Sequence, residues 1–389
     1  MSSYQPCCHA SHAGGRAGAK RLLSALFYGT VLRCSGRPKT PVDEDTVAVL
    51  SFGALGDLIV FCDAARRLKK AGKRLTLFCK TGNGTAEFAR YTGLFQQVVE
   101  LDLRGLHRLT ALRRLRAMAF DTVFGAPLGR HILPDLCACL MQANRRYFPD
   151  TLQDCSLPRL KKRADRFADK LVPLTETLEL KRYTAFFRAC GLLTEEILPF
   201  RLDLPPLERD RTLAVFPGAG GGEGKKWPAD RFAEAALRLV ESGAADRVVL
   251  LGSSGDAAAC AALYAALSGR CDVENRCGQT DIAALAELLR RCGLTLANDS
   301  GSAHLSIACG APTVVICGMW QPGRFYPDPY LDGSAVSAAA AGGFGQTCRY
   351  SVPRCSLTPA PCVGAVTAEQ VVRAALELQQ QTRKDCDHE

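Results

Sequence analysis

The 389-residue chain lacks several features that would assign it quickly to a common class of protein. No apolar run reaches the roughly 18 residues that are needed to span a bilayer, which argues against an integral membrane protein. No two of its 19 cysteines have the C-x-x-C spacing typical of a structural zinc site. Because the cysteines are odd in number and mostly lie inside apolar runs, we interpret them as small buried hydrophobic residues in a reducing compartment.

The glycine-rich stretch PGAGGGEGKKWP, residues 217–228, lacks the spacing of a nucleotide-hydrolysing P-loop. A P-loop has glycine five positions before its Gly-Lys pair and Ser or Thr after the pair. Here those two positions are Ala219 and Lys226. Pro228 suits the beginning of a later helix. We therefore interpret the stretch as a flexible turn that places Lys225 and Lys226 ahead of a helix.

The first glycine loop, SFGALGDLIV at residues 51–60, lacks the spacing of a nicotinamide dinucleotide site. Such a site has the pattern G-x-G-x-x-G and an acidic residue at the end of the second strand. The loop instead reads Gly53-x-x-Gly56-Asp57, and the second predicted strand ends at Lys80. A nicotinamide oxidoreductase is therefore poorly supported. Asp57 falls at a helix N-terminus, where an ordinary N-cap role and a functional role are both open.

Acidic residues are absent before Asp43, and residues 1–44 form a basic, partly amphipathic leader. Within it, AKRLLSALFYGTVLRC at residues 19–34 places apolar side chains at helical spacing between basic residues. This pattern is typical of a helix in the interface of an anionic membrane. A disordered basic tail is an alternative, whereas a secretory signal fits poorly because no A-x-A site follows.

Short β-rich runs alternate with helical patterns over residues 45–205 and again over residues 206–365, and residues 366–389 form a closing helix and tail. The predicted strands are 46–52, 74–80, 96–103, 121–127, 211–218, 247–253, 294–300 and 312–318. The clearest predicted helices are 58–72, 229–242, 281–292, 302–310 and 367–381. Two such arrays, separated by the double-proline linker 202–210, predict an α/β protein with two Rossmann-like, doubly wound parallel sheets. Ligands of such sheets bind beyond the carboxyl ends of the strands.

The turn ANDSGSAHLSIACGAP, residues 297–312, is such a strand-to-helix loop in the second array. Its small and polar residues are Asn298, Asp299, Ser300, Gly301 and Ser302. Backbone N–H groups and the positive end of the helix would face the cleft there, which suits a phosphate or diphosphate. His304 lies in the first turn of the helix, where a purely structural histidine is equally consistent.

Four stretches resemble successive blocks of the family 9 glycosyltransferases, the heptosyltransferases of lipopolysaccharide inner-core assembly. They are SFGALGDL, PGAGGGEGKKWPADRFAEAA, VVLLGS and NDSGSAHLSIACGAPTVVICG. The resemblance covers roughly residues 45–380 in the same order. It implies the GT-B architecture, in which an acceptor-binding N-terminal domain and a nucleotide-sugar-binding C-terminal domain face a cleft. It also implies inverting transfer of a sugar, with heptose from ADP-heptose expected, onto a lipid-linked saccharide such as the lipopolysaccharide inner core.

The resemblance also implies roles for individual residues. Asp57 matches the general base, and Gly53 and Gly56 lie in the acceptor-side loop. The matching donor-binding residues are Lys225, Asp299, Ser300, Gly301, Ser302 and His304. No metal and no cofactor are expected beyond the nucleotide-sugar substrate, and the D-x-D at Asp43-Glu44-Asp45 is interpreted as a solvated turn. The expected partners are the nucleotide-sugar donor, the lipid-linked acceptor and an anionic membrane contacted by the leader, and no nucleic acid is expected. The expected location is cytoplasmic, peripheral to the inner face of the cytoplasmic membrane.

Two alternatives remain open at this point. One is a GT-B transferase for another nucleotide-sugar in capsule or glycan synthesis, because the glycine-rich block leaves few side chains to select a sugar. The other is a non-catalytic nucleotide-sugar-binding relative that lacks a working base. The stretches 125–136 and 157–166 can contact the acceptor or be solvated faces, and residues 325–355 are predicted to form a mobile loop of low complexity.

Overall fold

The computed structural model describes residues 42–386 with gaps at 83, 105–106, 127, 130–131, 151–157, 206, 221–222, 319–322, 327–332 and 337–360. Nearly all of the basic leader, including the amphipathic helix predicted over residues 19–34, therefore lies outside the described residues. None of the helices in the described ranges combines the length and the apolar character needed to cross a membrane.

The first half of the chain forms a six-stranded parallel sheet with the order β3-β2-β1-β4-β5-β6. Its strands are β1 (Thr46–Ser51), β2 (Arg74–Lys80), β3 (Gln97–Leu101), β4 (Ala119–Gly125), β5 (Gln142–Pro149) and β6 (Lys170–Val172). The central strands β1, β2 and β4 are buried along almost their whole length because helices cover both faces of the sheet. The strand order reverses between β1 and β4, which is where a doubly wound sheet opens a crevice for ligands.

Six helices connect these strands and lead into the second half. They are α1 (Leu55–Lys70), α2 (Thr85–Thr92), α3 (His107–Arg116), α4 (Ile132–Leu140), α5 (Pro158–Asp165) and α6 (Glu179–Cys190). In each βα unit the helix begins near the carboxyl end of the preceding strand, so the helix N-termini gather at the edge of the sheet where the crevice opens.

The second half repeats the same arrangement, with the sheet order β12-β11-β10-β7-β8-β9 and parallel pairing throughout. Its strands are β7 (Asp210–Phe216), β8 (Arg247–Leu250), β9 (Asp272–Asn275), β10 (Cys292–Asn298), β11 (Thr313–Ile316) and β12 (Gly333–Val336). Its helices are α7 (Ala229–Glu241), α8 (Ala257–Leu267), α9 (Ile282–Arg291), α10 (Gly301–Ala308), α11 (Pro361–Gly364) and α12 (Ala368–Cys386). Two Rossmann-like sheets of identical strand order confirm the predicted fold class.

The two halves share buried apolar surface. One cluster of buried side chains runs from Leu58 and Phe61 of α1 to Ala303 and Leu305 of α10. Between α2 and α9, Glu87 Oε1 accepts a hydrogen bond of 2.7 Å from the backbone N–H of Ile282, at the start of α9. These contacts hold the carboxyl ends of the two sheets opposite each other.

All eight predicted strands are present, and the structure adds β5, β6, β9 and β12. The added strands are short, polar or built from small residues, so apolar alternation does not mark them. In β5, for example, Arg146 is buried and donates hydrogen bonds to the carbonyls of Ala138 and Met141 at 3.1 and 2.6 Å. The prediction of a mobile loop over residues 325–355 is wrong for β12 and for Phe325 and Tyr326, which pack in the cleft.

Candidate functional site

The N-termini of α1 and α10 meet where the two sheets face each other. Gly56 in the first turn of α1 lies against His304, because a Cβ on Gly56 would stand 2.8 Å from His304 Cδ2. Gly301 lies against α1 in return, because a Cβ there would stand 3.0 Å from Leu55 Cβ. Glycine at both positions therefore allows the backbones to approach until the two strand-to-helix turns face each other.

Asp57 is the third residue of α1 and is half-buried at the edge of the cleft. Its Oδ2 accepts a hydrogen bond of 2.8 Å from the backbone N–H of Ala54, the N-cap residue. Asp57 therefore satisfies a backbone donor at the start of the helix, but it is not itself the N-cap. Gly53 makes room, because a Cβ there would stand 2.3 Å from this oxygen. Burial raises the pKa of Asp57, and the Ala54 hydrogen bond and the charges of Lys225 and Arg324 oppose the rise. A carboxylate with a raised pKa suits a proton acceptor.

Lys225 lies at the end of a single 3-10 turn formed by residues 223–225. Its Nζ is 2.8 Å from Oδ2 of the buried Asp299, which directly follows β10. Lys226 turns away and pairs with Glu223 at the surface. The structure therefore separates the two adjacent lysines, and Lys225 alone reaches the cleft.

The side-chain amide of Asn298 shapes the glycine-rich stretch. Its Oδ1 accepts a hydrogen bond from the backbone N–H of Trp227 at 3.0 Å, and its Nδ2 donates to the carbonyl of Pro217 at 2.8 Å. Both ends of the stretch 217–228 are thus tied to the last residue of β10. This attachment explains how a segment rich in glycine can hold a lysine at a defined place.

His304 is a buried neighbour of the Lys225–Asp299 pair. Its ring stacks on Tyr326, with centroids 5.0 Å apart and planes inclined by 9°. The Tyr326 hydroxyl donates to Asp299 Oδ1 at 2.8 Å and lies 3.3 Å from His304 Nε2. Burial lowers the pKa of His304 to about 4, although Asp299 opposes the change. His304 is therefore a neutral hydrogen-bonding group at pH 7 rather than a fixed charge.

Ser300, Gly301 and Ser302 form the N-terminus of α10. Ser300 occupies the N-cap position without capping the helix, and its buried Oγ has no hydrogen-bond partner among the described residues. The carbonyl of Ser302 accepts a hydrogen bond of 2.9 Å from the hydroxyl of Ser306. The first backbone N–H groups of α10 have no intrahelical acceptor, and the helix dipole adds positive potential, so this turn suits an anion.

A cavity of about 330 Å³ opens beyond the carboxyl ends of β1, β2, β4 and β5. Its charged lining residues are Asp57, Lys80, Asp135, Glu179 and Arg324. The predicted acceptor-side stretch 125–136 contributes five residues, Gly125, Gly129, Leu133, Pro134 and Asp135. None of the described residues of the other candidate stretch, 157–166, lines the cavity.

Arg324 reaches this cavity from the second half of the chain. Its Nε lies 3.5 Å from Oε1 of the buried Glu179, and its carbonyl accepts a hydrogen bond of 2.8 Å from the N–H of Glu179. Burial raises the pKa of Glu179, and the charges of Arg182 and Arg324 oppose this rise. The Asp57 cavity is therefore closed on one side by a residue of the opposite half.

Sequence reasoning missed four residues of this region: Lys80, Glu179, Arg324 and Tyr326. Lys80 ends a predicted strand and could have been found from that position alone. Glu179 begins a helix that no pattern singled out, and the other two lie in or beside the stretch interpreted as a mobile loop. Their proximity arises from contacts between the halves, which sequence spacing does not reveal.

The geometry unites the residues that the resemblance singled out. The candidate base Asp57 lies on one side of the cleft, and Lys225, Asp299, His304 and the N-terminus of α10 lie on the other. A carboxylate with a raised pKa opposite an anion site can deprotonate a hydroxyl while a phosphate group departs.

Comparisons with known proteins match part of the chain to one family and most of it to one fold. Residues 183–341 match the family described as Glycosyltransferase family 9 (heptosyltransferase). The lipooligosaccharide heptosyltransferase 2 of Campylobacter jejuni is 33% identical over 126 residues, which are 31% of this chain and 39% of that relative. The lipopolysaccharide heptosyltransferase 2 of Salmonella typhimurium is 34% identical over 119 residues, covering 30% of this chain and 34% of that relative. The matched segment thus spans little more than a third of these relatives.

Solved structures extend the fold match over most of the chain. Escherichia coli ADP-heptose lipopolysaccharide heptosyltransferase II superposes with a TM-score of 0.64 at 18% identity, covering 87% of this chain and 99% of that one. A family 9 glycosyltransferase from Veillonella parvula superposes with a TM-score of 0.64 at 18% identity, covering 88% of this chain and 99% of that one. E. coli heptosyltransferase WaaC with ADP-2-deoxy-2-fluoro heptose superposes with a TM-score of 0.60 at 16% identity, covering 84% of this chain and 98% of that one. The predicted resemblance is confirmed as a match of residues 183–341 to glycosyltransferase family 9, on a chain that has the two-sheet GT-B fold.

Proposed function

We propose that the protein is an inverting glycosyltransferase that transfers heptose from ADP-heptose to a lipid-linked saccharide of the lipopolysaccharide inner core. The observation that carries the proposal is the position of Asp57 opposite the Lys225–Asp299 pair and the N-terminus of α10. The names of the relatives that match about a third of this chain support heptose as the sugar.

In the proposed reaction, a hydroxyl oxygen of the acceptor attacks the anomeric carbon of the donor sugar. The bond from that carbon to the diphosphate oxygen breaks, and the hydroxyl proton passes to Asp57. The nucleoside diphosphate leaves with the bonding electrons, and Lys225 and the N–H groups of α10 stabilise its developing charge. Attack from the face opposite the leaving group inverts the anomeric carbon.

This scheme assigns the neutralisation of the diphosphate to protein groups and routes no step through a metal ion. Lys225 supplies a full positive charge, and the helix N-terminus supplies oriented backbone dipoles. We therefore expect heptose transfer to continue at an unchanged rate in the presence of a chelator. Loss of transfer on chelation, with recovery on adding a divalent cation, would overturn this part of the proposal.

Calorimetric binding of a nucleotide panel tests the donor. ADP-heptose, ADP, UDP-sugars and NAD(P) are compared on the same protein, and we expect ADP-heptose to bind most tightly. Preference for another nucleotide-sugar would leave the proposed reaction type unchanged but would overturn heptose as the transferred sugar. Binding of NAD(P) alone would overturn the proposed function.

We also propose peripheral association with the cytoplasmic face of an anionic membrane. Beside the leader, α3 supports this proposal, because it contains no acidic residue and exposes Arg113, Arg114 and Arg116. Leu109 on the same helix is 46% exposed.

Vesicle binding tests this surface. Charge reversal at Arg113 and Arg114, to glutamate, should weaken binding to vesicles of anionic phospholipid at least about tenfold, because each basic residue near such a surface contributes about 1 kcal/mol. The matched control reverses Arg238 and Arg276, two exposed arginines of the second half. Equal binding by both variants would show that α3 does not contact the membrane.

A further inference from the structure

Glu179 lies at an unusual position between two arginines from different halves of the chain. It is 3% exposed at the start of α6, with Arg182 Nε of its own helix 3.3 Å from Oε2. Arg324 Nε, from the second half, lies 3.5 Å from Oε1. A buried carboxylate held by two guanidinium groups stabilises a particular arrangement of the chain, because removing its charge leaves both cations without their partner.

Arg324 belongs to the segment 323–326, which continues directly to the donor side of the cleft. The guanidinium of Arg324 lies 4.8 Å from the centroid of the Phe325 ring, and that ring meets His304 edge-on at 6.2 Å. Tyr326 then stacks on His304, and its hydroxyl donates a hydrogen bond to Asp299. Each step from Glu179 to His304 is therefore a direct contact.

We propose that Glu179 is a positioning residue of the reaction: by holding Arg324, it sets Tyr326 against His304 and Asp299 and so orders the donor side of the cleft. The inference rests on the proposed function, since it names a further residue of the same site. It adds a link between the cavity that contains Asp57 and the Lys225–Asp299 pair, carried by segment 323–326.

The arrangement has a physical consequence that can be measured without substrate. The burial that keeps His304 neutral includes the stacked ring of Tyr326. If segment 323–326 withdraws, water reaches the imidazole and its charged form becomes less costly. Loss of a nearby negative charge by itself would act in the opposite direction, because it disfavours the imidazolium form. The sign of the change therefore distinguishes positioning from simple electrostatics.

The test is an NMR titration of the His304 imidazole in Glu179→Gln, a variant that keeps the size of the side chain and removes its charge. We expect the pKa of His304 to rise by about one unit or more from its low value, toward that of an exposed histidine. Glu179→Ala removes the same negative charge and should give the same rise, so the test survives if one variant does not fold. Arg324→Gln is not used, because removing a cation raises the pKa of His304 by electrostatics alone. An unchanged or lower pKa in a folded variant would overturn the inference.

Glu87→Gln is the matched control. Glu87 also joins the two halves, through its hydrogen bond to the N–H of Ile282, but it lies outside the chain of contacts that runs through segment 323–326. We expect this variant to leave the His304 titration unchanged. The readout needs no sugar donor, so failure of heptose transfer in the wild-type protein would overturn the proposed function without deciding the role of Glu179.

Discussion

Asp57 shows how one side chain can serve both the fold and the chemistry. Its Oδ2 satisfies the N–H of Ala54, and the same carboxylate lines the cavity. The position alone did not separate these roles, because an acidic residue in the first turn of a helix is common. The burial that raises the pKa of Asp57 favours a functional role, since a capping carboxylate that is exposed has no reason to have a raised pKa.

The raised pKa of Asp57 makes a prediction for the pH dependence of transfer. A general base works in its ionised form, so kcat/KM should fall as the pH drops through the pKa of Asp57. Because burial raises this pKa above the ordinary value of 3.8, the fall should begin at a higher pH than it would for an exposed aspartate. Initial rates across the pH range check this, with Asp102→Asn at the surface as a control. A constant rate down to about pH 4 would exclude Asp57 as the base.

Lys225 and Lys226 give a matched pair of substitutions. Lys225→Ala should lower ADP affinity and turnover together by about tenfold to a hundredfold, because charge-assisted hydrogen bonds contribute about 1.5–3 kcal/mol. Lys226→Ala should change neither, since Lys226 pairs with Glu223 at the surface. Calorimetry and initial rates measure both effects. If the two variants behave alike, Lys225 is not the residue that contacts the donor.

At the scale of the elements, the helix N-termini do more for the site than any strand. The helices α1 and α10, which follow β1 and β10, meet at their N-termini. Gly56 and Gly301 let these two helices pack closely. These glycines were recognisable in the sequence as turn residues. Their contact with the opposite half was not, because it depends on how the two sheets face each other.

Gly56→Ala tests this close packing. The added methyl group would stand 2.8 Å from His304 Cδ2, so the ring or the helix must shift. We expect the free energy of unfolding to fall by about 1–3 kcal/mol, as for other overpacked sites. Urea unfolding checks the value. Gly220→Ala, where a Cβ would meet no atom within 4 Å, should change stability by less than about 0.5 kcal/mol.

The elements that sequence patterns predicted share strong apolar character. The central strands and the amphipathic helices α1, α7 and α9 appear within a few residues of their predicted bounds. The edge strands β6 and β9 were missed because edge strands are short and their residues need not be apolar. Segment 323–326 was missed for another reason: its importance comes from ion pairs and ring contacts with distant residues, and its own sequence has no regular pattern.

At the scale of the whole molecule, two sheets of identical strand order place two crevices face to face. Each sheet alone offers the usual ligand site of its fold, and neither alone contains both a base and an anion site. The candidate site of the second half, around Lys225 and α10, lies within the sequence match to family 9, whereas Asp57 lies outside the matched residues 183–341. The assignment of Asp57 is therefore the part of the account that most needs an experiment.

The most direct measurement is the rate of ADP release on transfer of heptose from ADP-heptose, compared between the wild-type protein and Asp57→Asn. Asparagine keeps an oxygen that can accept the Ala54 hydrogen bond, so α1 should remain intact. We expect the turnover of the variant to fall about a hundredfold or more, the usual contribution of a general base, while ADP affinity stays within about threefold. Turnover equal to that of the wild-type protein would contradict the account and leave Asp57 with a structural role only.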